Sequence, residues 1–254
     1  MSKRKLTDED AARVRGLLLQ RPVLQVDVIP PSPRHKTPDL LVRSDGVRVF
    51  IEVERRVDDK QLRDLLNGPD GATLRYSGAR TEQRIEHAFR QLRDYPDREA
   101  SDHTLVWLVA GPREVPEILS PGAARTRLYG LQQLRGYTTG GDYYCKDCYF
   151  VHESIFFRRK DLDAVIIETS RALDYCLNPF SPRFAALRDG PFSWALDGLV
   201  SVVDPLDEEA KGKAFIADCK HDRQDIEAVI AYLRRKYHLL RPTIADYVLV
   251  SLRA

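Results

Sequence analysis

Two hydrophobic periods run through this chain. At about 3.6 residues, Val14, Leu17 and Leu18 form one stripe within Thr7–Gln20. Ile85, Ala88, Phe89, Leu92 and Tyr95 form a second within Thr81–Tyr95, and Ile226, Val229, Ile230, Leu233 and Tyr237 a third. Each stripe predicts an amphipathic helix, the first with Thr7 as N-cap and Pro22 as its stop. At a period of two, Val49, Ile51 and Val53 share one strand face, and Phe50, Glu52 and Glu54 share the other. Ser44-Asp45-Gly46 joins this strand to Leu40–Arg43, and Asp-Gly suits the positive φ angles of a type I′ hairpin. Leu24–Ile29 predicts a further strand, stopped by three nearby prolines. TLVWLVA, residues 104–110, is a continuous apolar run suited to a strand covered on both faces.

Elsewhere the pattern is looser. Asp58–Arg80 predicts a short helix and a loop. Glycines and prolines over 113–142 predict a connecting segment with a short helix near Arg125–Arg135. The second half predicts a helix or strand at Leu162–Leu173, a turn at Asn178-Pro179 and a helix at Gln224–Lys236. Strands are expected at Leu199–Val203, Lys213–Ala217 and Tyr247–Leu252. The expected fold class is α/β with an additional α+β C-terminal portion, divided as 1–112, 113–142 and 143–254.

Composition narrows the classes. The chain has 254 residues, 43% hydrophobic and 31% charged, which excludes a disordered chain or a disulfide mini-protein. No apolar run approaches the ~18 residues of a membrane span. The start, MSKRKLTDED, lacks the apolar stretch of a secretory leader, so a cytoplasmic location is expected. Forty basic against 38 acidic residues leave +2, so any nucleic-acid surface must be local. No Walker loop or dinucleotide fingerprint is present.

One acidic cluster carries chemistry. Glu52 and Glu54 lie at i and i+2 on a strand, pointing the same way and ~6.5–7 Å apart. The hairpin can bring Asp39 beside them. Three converging carboxylates repel one another unless a cation lies between them, and Mg²⁺ or Mn²⁺ takes such oxygen donors. The alternative is a solvated edge, with Glu52 and Glu54 paired to Arg48, Arg55 or Arg56.

Pro38-Asp39 followed by Ile51-Glu52-Val53-Glu54 resembles the PD-(D/E)XK, restriction-endonuclease-like nuclease superfamily. The helix carries Gln91-Leu92-Arg93-Asp94-Tyr95, similar to the Gln-x-x-x-Tyr motif of RecB-like exonucleases in that superfamily. The resemblance implies a core of helix, three strands, helix, strand over about 1–112. It also implies Mg²⁺- or Mn²⁺-dependent hydrolysis of DNA. Asp39 and Glu52 would hold the metal, and Glu54 would be a further ligand or orient water. Gln91 would position the water or the phosphate, with Tyr95 in support. The departure is Glu54, where the superfamily usually has lysine. The alternative is therefore a catalytically inactive module that binds nucleic acid or assembles with a protein, and a homodimer stays open.

Three further features compete. Asp204, Asp218 and Lys220 repeat an Asp…Asp-x-Lys order and form a reserve site, a divergent second copy or an exposed strand end. Cys145, Cys148 and His152 have zinc-knuckle spacing, against the alternative that the cysteines are core residues. Tyr143, Tyr144, Tyr149, Phe150, Phe156 and Phe157, followed by Arg158, Arg159 and Lys160, can stack bases or fill a core.

Overall fold

The computed structural model describes residues 3–56, 79–110, 119–169 and 172–245. The first half runs α1 (Lys3–Leu19), β1 (Gln25–Val28), β2 (Leu40–Ser44), β3 (Val47–Arg56), α2 (Ala79–Arg93) and β4 (His103–Ala110). α1 starts four residues before Thr7, which therefore lies inside the helix instead of capping it. Lys, Arg and Leu are good helix formers, so the helix extends back over them. The expected helix and loop over Asp58–Arg80 fall almost wholly outside the described residues.

The hairpin forms as its turn residues dictate. Ser44 pairs with Val47, leaving a two-residue turn in which Asp45 (φ 43°) and Gly46 (φ 79°) are both left-handed. That turn fixes the register, so Leu40 faces Ile51 and Leu41 faces Phe50.

The second half continues with α3 (Leu119–Tyr129), β5 (Gln132–Thr138), β6 (Tyr143–Tyr149), α4 (Ile155–Arg158), β7 (Ala164–Glu168) and β8 (Leu173–Leu177). It closes with α5 (Phe184–Arg188), α6 (Pro191–Ala195), β9 (Ser201–Val203), α7 (Pro205–Ala210), β10 (Ala214–Ile216), α8 (Ile226–Lys236) and β11 (Leu239–Ala245). The apolar run at 162–173 is thus the start of a β7–β8 hairpin, and 119–138 holds a helix and a strand. The expected strand Tyr247–Leu252 lies outside the described residues.

A seven-stranded mixed sheet has the order β1-β2-β3-β4-β7-β8-β9. β1, β2 and β3 are antiparallel, β3, β4 and β7 are parallel, and β8 returns antiparallel. Strands from both sides of the expected boundary at 112 therefore share one sheet. The physical reason is β4. Its apolar run is buried on both faces, and its free edge is paired by β7. One face of the sheet packs on α2 and α3, with Phe50, Val106 and Leu108 against Ile85, Phe89 and Leu128. The other packs on α1, α5 and α6, with Ile51, Val53 and Trp107 against Val14, Leu18 and Phe192.

A second sheet, β10-β6-β5-β11, lies under α8 around Leu134, Cys148, Phe215 and Leu233. Among the described residues no helix is long and apolar enough to cross a membrane.

Candidate metal centre

Asp39 precedes β2 by one residue, and its backbone N–H still donates to the Ile51 carbonyl at 3.1 Å. Its Oδ2 accepts from the Val53 N–H at 2.8 Å, which ties its carboxylate to β3 beside Glu52. On β3, Glu52 and Glu54 point away from Ile51 and Val53, toward α2. Both are buried, at 5% and 8% exposure.

The helix meets them by matched spacing. Arg84, His87 and Gln91 fall on one stripe of α2. The four residues from His87 to Gln91 rise ~6 Å, close to the ~6.5–7 Å between alternate strand residues. Gln91 Nε2 accordingly donates to Glu52 Oε1. One turn earlier, His87 Nδ1 lies 3.0 Å from Glu54 Oε1, and Arg84 lies 3.4 Å from Glu54 Oε2. The expected pairing of Glu52 or Glu54 with Arg48 or Arg55 does not carry the cluster, and the Arg56 side chain lies outside the described residues. Arg48 pairs with Glu99 and Asp102, and Arg55 with Asp10 on α1. Asp10 is thus a buried ion-pair partner.

The electrostatics are those of crowded acids. Burial pushes the Asp39 carboxyl up to about 6, with the Val53 N–H opposing and Glu54 and Asp8 adding repulsion. Burial, reinforced by Asp39 and Glu54, holds Glu52 well above the usual carboxylate range, and Lys36 offsets part of it. Glu52 Oε2 is buried and has no hydrogen-bond partner among the described residues. An unpaired buried carboxyl oxygen is costly, and a hard cation would satisfy it. Among the described residues no three His, Cys, Asp or Glu side chains are already gathered as a metal cage, because each carboxylate is turned to its own partner. The donor set of Asp39, Glu52 and Glu54 fits Mg²⁺ or Mn²⁺ by its oxygen chemistry.

Beside the carboxylates opens a cleft of about 350 Å³ lined by His35, Lys36, His87, Arg90, Gln91 and Asp94. Lys36, Arg90 and the two histidines dominate its lining, and Gln91 and His87 connect it to the buried carboxylates behind. Tyr95 does not reach the carboxylates. Its hydroxyl donates to Asp97 at 3.0 Å, and its ring packs against Phe50 and His35.

Lys36, His87, Arg84 and Asp8 were not singled out from the sequence. The α2 stripe was readable as i, i+3, i+7 beside the apolar face. Lys36 and Asp8 carry no local signal, because the fold alone brings them near.

The reserve cluster is not assembled. β9 and β10 belong to different sheets, so no hairpin joins Asp204 to Asp218. Asp204 caps α7 through the Leu206 and Asp207 N–H groups. Asp218 accepts from Tyr232 at 2.6 Å and Lys236 at 2.9 Å, and Lys220 is exposed. The zinc trio fails on strand geometry. Cys145 and Cys148 are three apart on β6 and so face opposite ways, the first exposed and the second fully buried. Cys219 takes an N–H from buried Arg223.

The aromatic stretch is mostly core. Tyr144, Tyr149, Phe150 and Phe156 are buried, while Arg158 and Arg159 pair with Glu82 and Glu86. Tyr143 is exposed and stacks edge-on with Tyr137. No protein-family model, curated protein or solved structure matches this chain.

Proposed function

We propose that this chain is a Mg²⁺- or Mn²⁺-dependent hydrolase of DNA phosphodiester bonds, built on a restriction-endonuclease-like core. The observation that carries the reading is one constellation. Asp39 stands just before β2 beside Glu52 of β3, Gln91 reaches Glu52 from the facing helix, and Glu52 keeps a buried oxygen without a partner among the described residues. The element order α1, β1, β2, β3, α2, β4 supports it, as does a β1–β2–β3 meander with β4 parallel to β3. Glu52 and Glu54 occupy the C-terminal half of β3, which is parallel to β4, the end at which open α/β sheets bind ligands.

Asp39 and Glu52 would hold the ion, and Glu54, its Oε1 kept on His87, would orient water through Oε2. A bound ion would polarise a phosphoryl oxygen and lower the pKa of a water. Gln91 has a second amide proton and a carbonyl with which to orient that water or the phosphate. Lys36 and Arg90 draw a polyanion into the cleft. Tyr95 would support the site by packing against His35 and Phe50.

A second reading has its own observation. Glu54, already paired with both Arg84 and His87, suits a module that binds nucleic acid without cleaving it. The test is cleavage of single- and double-stranded DNA with Mg²⁺ and with Mn²⁺, comparing Glu52→Gln and Lys220→Ala. Loss only in Glu52→Gln supports the reading. Loss only in Lys220→Ala contradicts it. DNA binding by the wild type with no cleavage of any substrate favours the second reading.

A further inference from the structure

The cleft holds a contact that the metal chemistry does not use. Lys36 Nζ lies 2.9 Å from His87 Nε2, and His87 Nδ1 lies 3.0 Å from Glu54 Oε1. An ammonium has only donors, so Nε2 accepts, and the ring proton sits on Nδ1 facing the carboxylate. Both ring nitrogens are thereby committed, and Glu54 fixes the ring that holds Lys36.

Lys36 is exposed and lines the cleft opposite Gln91, close enough to Glu52 to act on its carboxyl. Of the described β3 cations, Arg55 is spent on Asp10 and Arg48 on Glu99 and Asp102. Arg90 is partly spent too, its Nε reaching the Glu86 carbonyl at 3.3 Å. The Lys36 ammonium gives one proton to His87 and keeps two donors for an anion in the cleft.

We propose that Lys36 contacts a non-bridging oxygen of the phosphodiester lying over the carboxylates, and that His87, braced by Glu54, is the positioning residue that aims it. The proposal rests on the phosphodiesterase reading and names the cation that receives its substrate. A flexible lysine alone is a point charge with much rotamer freedom to lose. An imidazole held at both ends removes part of that loss in advance.

The experiment measures affinity for a fluorescein-labelled DNA duplex by anisotropy, in Ca²⁺ and across a salt series, beside calorimetric titration of Mn²⁺. The variants are Lys36→Ala, Lys36→Arg, His87→Ala and His87→Gln, with Lys220→Ala as the remote control. Lys36→Ala should bind DNA about tenfold more weakly, with Mn²⁺ binding retained. Its slope of log affinity against log salt should be about 0.9 less steep. Lys36→Arg should restore most of the affinity. His87→Ala should weaken DNA binding while leaving the salt slope near that of the wild type, since the charge remains. His87→Gln should recover it, because an amide can accept from Lys36 and donate to Glu54. Lys36→Ala with wild-type affinity and slope overturns the proposal. Loss of Mn²⁺ binding in Lys36→Ala overturns it too, since the lysine would then serve the ion. A wild type that binds neither Mn²⁺ nor DNA overturns the phosphodiesterase reading and this proposal with it, an outcome distinct from either variant's.

Discussion

At the residue scale the strongest statement concerns buried acid. Asp39 titrates near 6 in the folded chain against an ordinary 3.8. A raised carboxyl pKa means that the fold prefers the protonated form. That preference is fully present below 3.8 and is lost as pH rises through 6. Above that, the ionised group costs at most about 3 kcal/mol, and less here because the side chain is half-buried. Asp39→Asn keeps an acceptor for the Val53 N–H and removes the charge. It should match the wild type in denaturant unfolding at pH 4 and exceed it at pH 8. Equal stabilities at pH 8 would contradict the burial argument. Elsewhere, Asp163 is fully buried and accepts from the Thr104 N–H, from Ser181 and from Arg183. Asp163→Ala leaves the guanidinium short of its partner and should cost about 3–5 kcal/mol in the same measurement. It should leave Mn²⁺ binding intact.

At the element scale, α2 and the β2–β3 hairpin make the site. Gln91→Ala removes its hydrogen bond to Glu52 Oε1 without disturbing the apolar stripe, since Ile85, Phe89 and Leu92 remain. Thermal unfolding should shift by only a few degrees, whereas cleavage should fall by about 10²-fold or more if Gln91 orients the reacting groups. Wild-type turnover in Gln91→Ala would remove it from the site. These two elements were legible in the sequence because their signals are local. Asp-Gly sets the hairpin register, alternation puts Glu52 and Glu54 on one face, and the apolar stripe sets which side of α2 meets the sheet. Local signals also misled. Cys-x-x-Cys has knuckle spacing, yet on a strand its two thiols diverge. Asp204 and Asp218 repeated the Asp…Asp-x-Lys order, yet one caps a helix and the other pairs with Lys236. Lys36 and His87 were invisible, because 51 residues separate them and only the packing of α2 on β3 joins them.

At the scale of the whole molecule the large sheet is the unit. The glycine- and proline-rich stretch after β4 looked like a boundary, but β7, β8 and β9 extend the same sheet beyond it. No local pattern announces that pairing, since a parallel partner can come from anywhere along the chain. Tyr129 of α3 clamps the far strands, its hydroxyl donating to the Leu177 carbonyl at 3.0 Å and the Val203 carbonyl at 3.1 Å. Tyr129→Phe should cost about 1–2 kcal/mol of global stability and leave the carboxylate cluster unchanged. A fragment ending at residue 112 would expose the edge of β4, with Val106, Trp107 and Leu108 deprived of their neighbours on β7. It should be aggregated or unfolded by circular dichroism and gel filtration, despite containing every residue of the proposed site. The site thus depends on strands that contribute nothing to it chemically.

The most direct measurement is calorimetric titration of Mn²⁺ into the wild type, Asp39→Ala and Glu52→Gln at pH values from 5 to 8. The raised carboxyls must lose protons to bind a cation, so affinity should climb as pH passes through about 6. One ion should bind the wild type, and neither variant should bind it, while all three remain folded. Binding that is unchanged in both variants would mean that Asp39 and Glu52 share no ion.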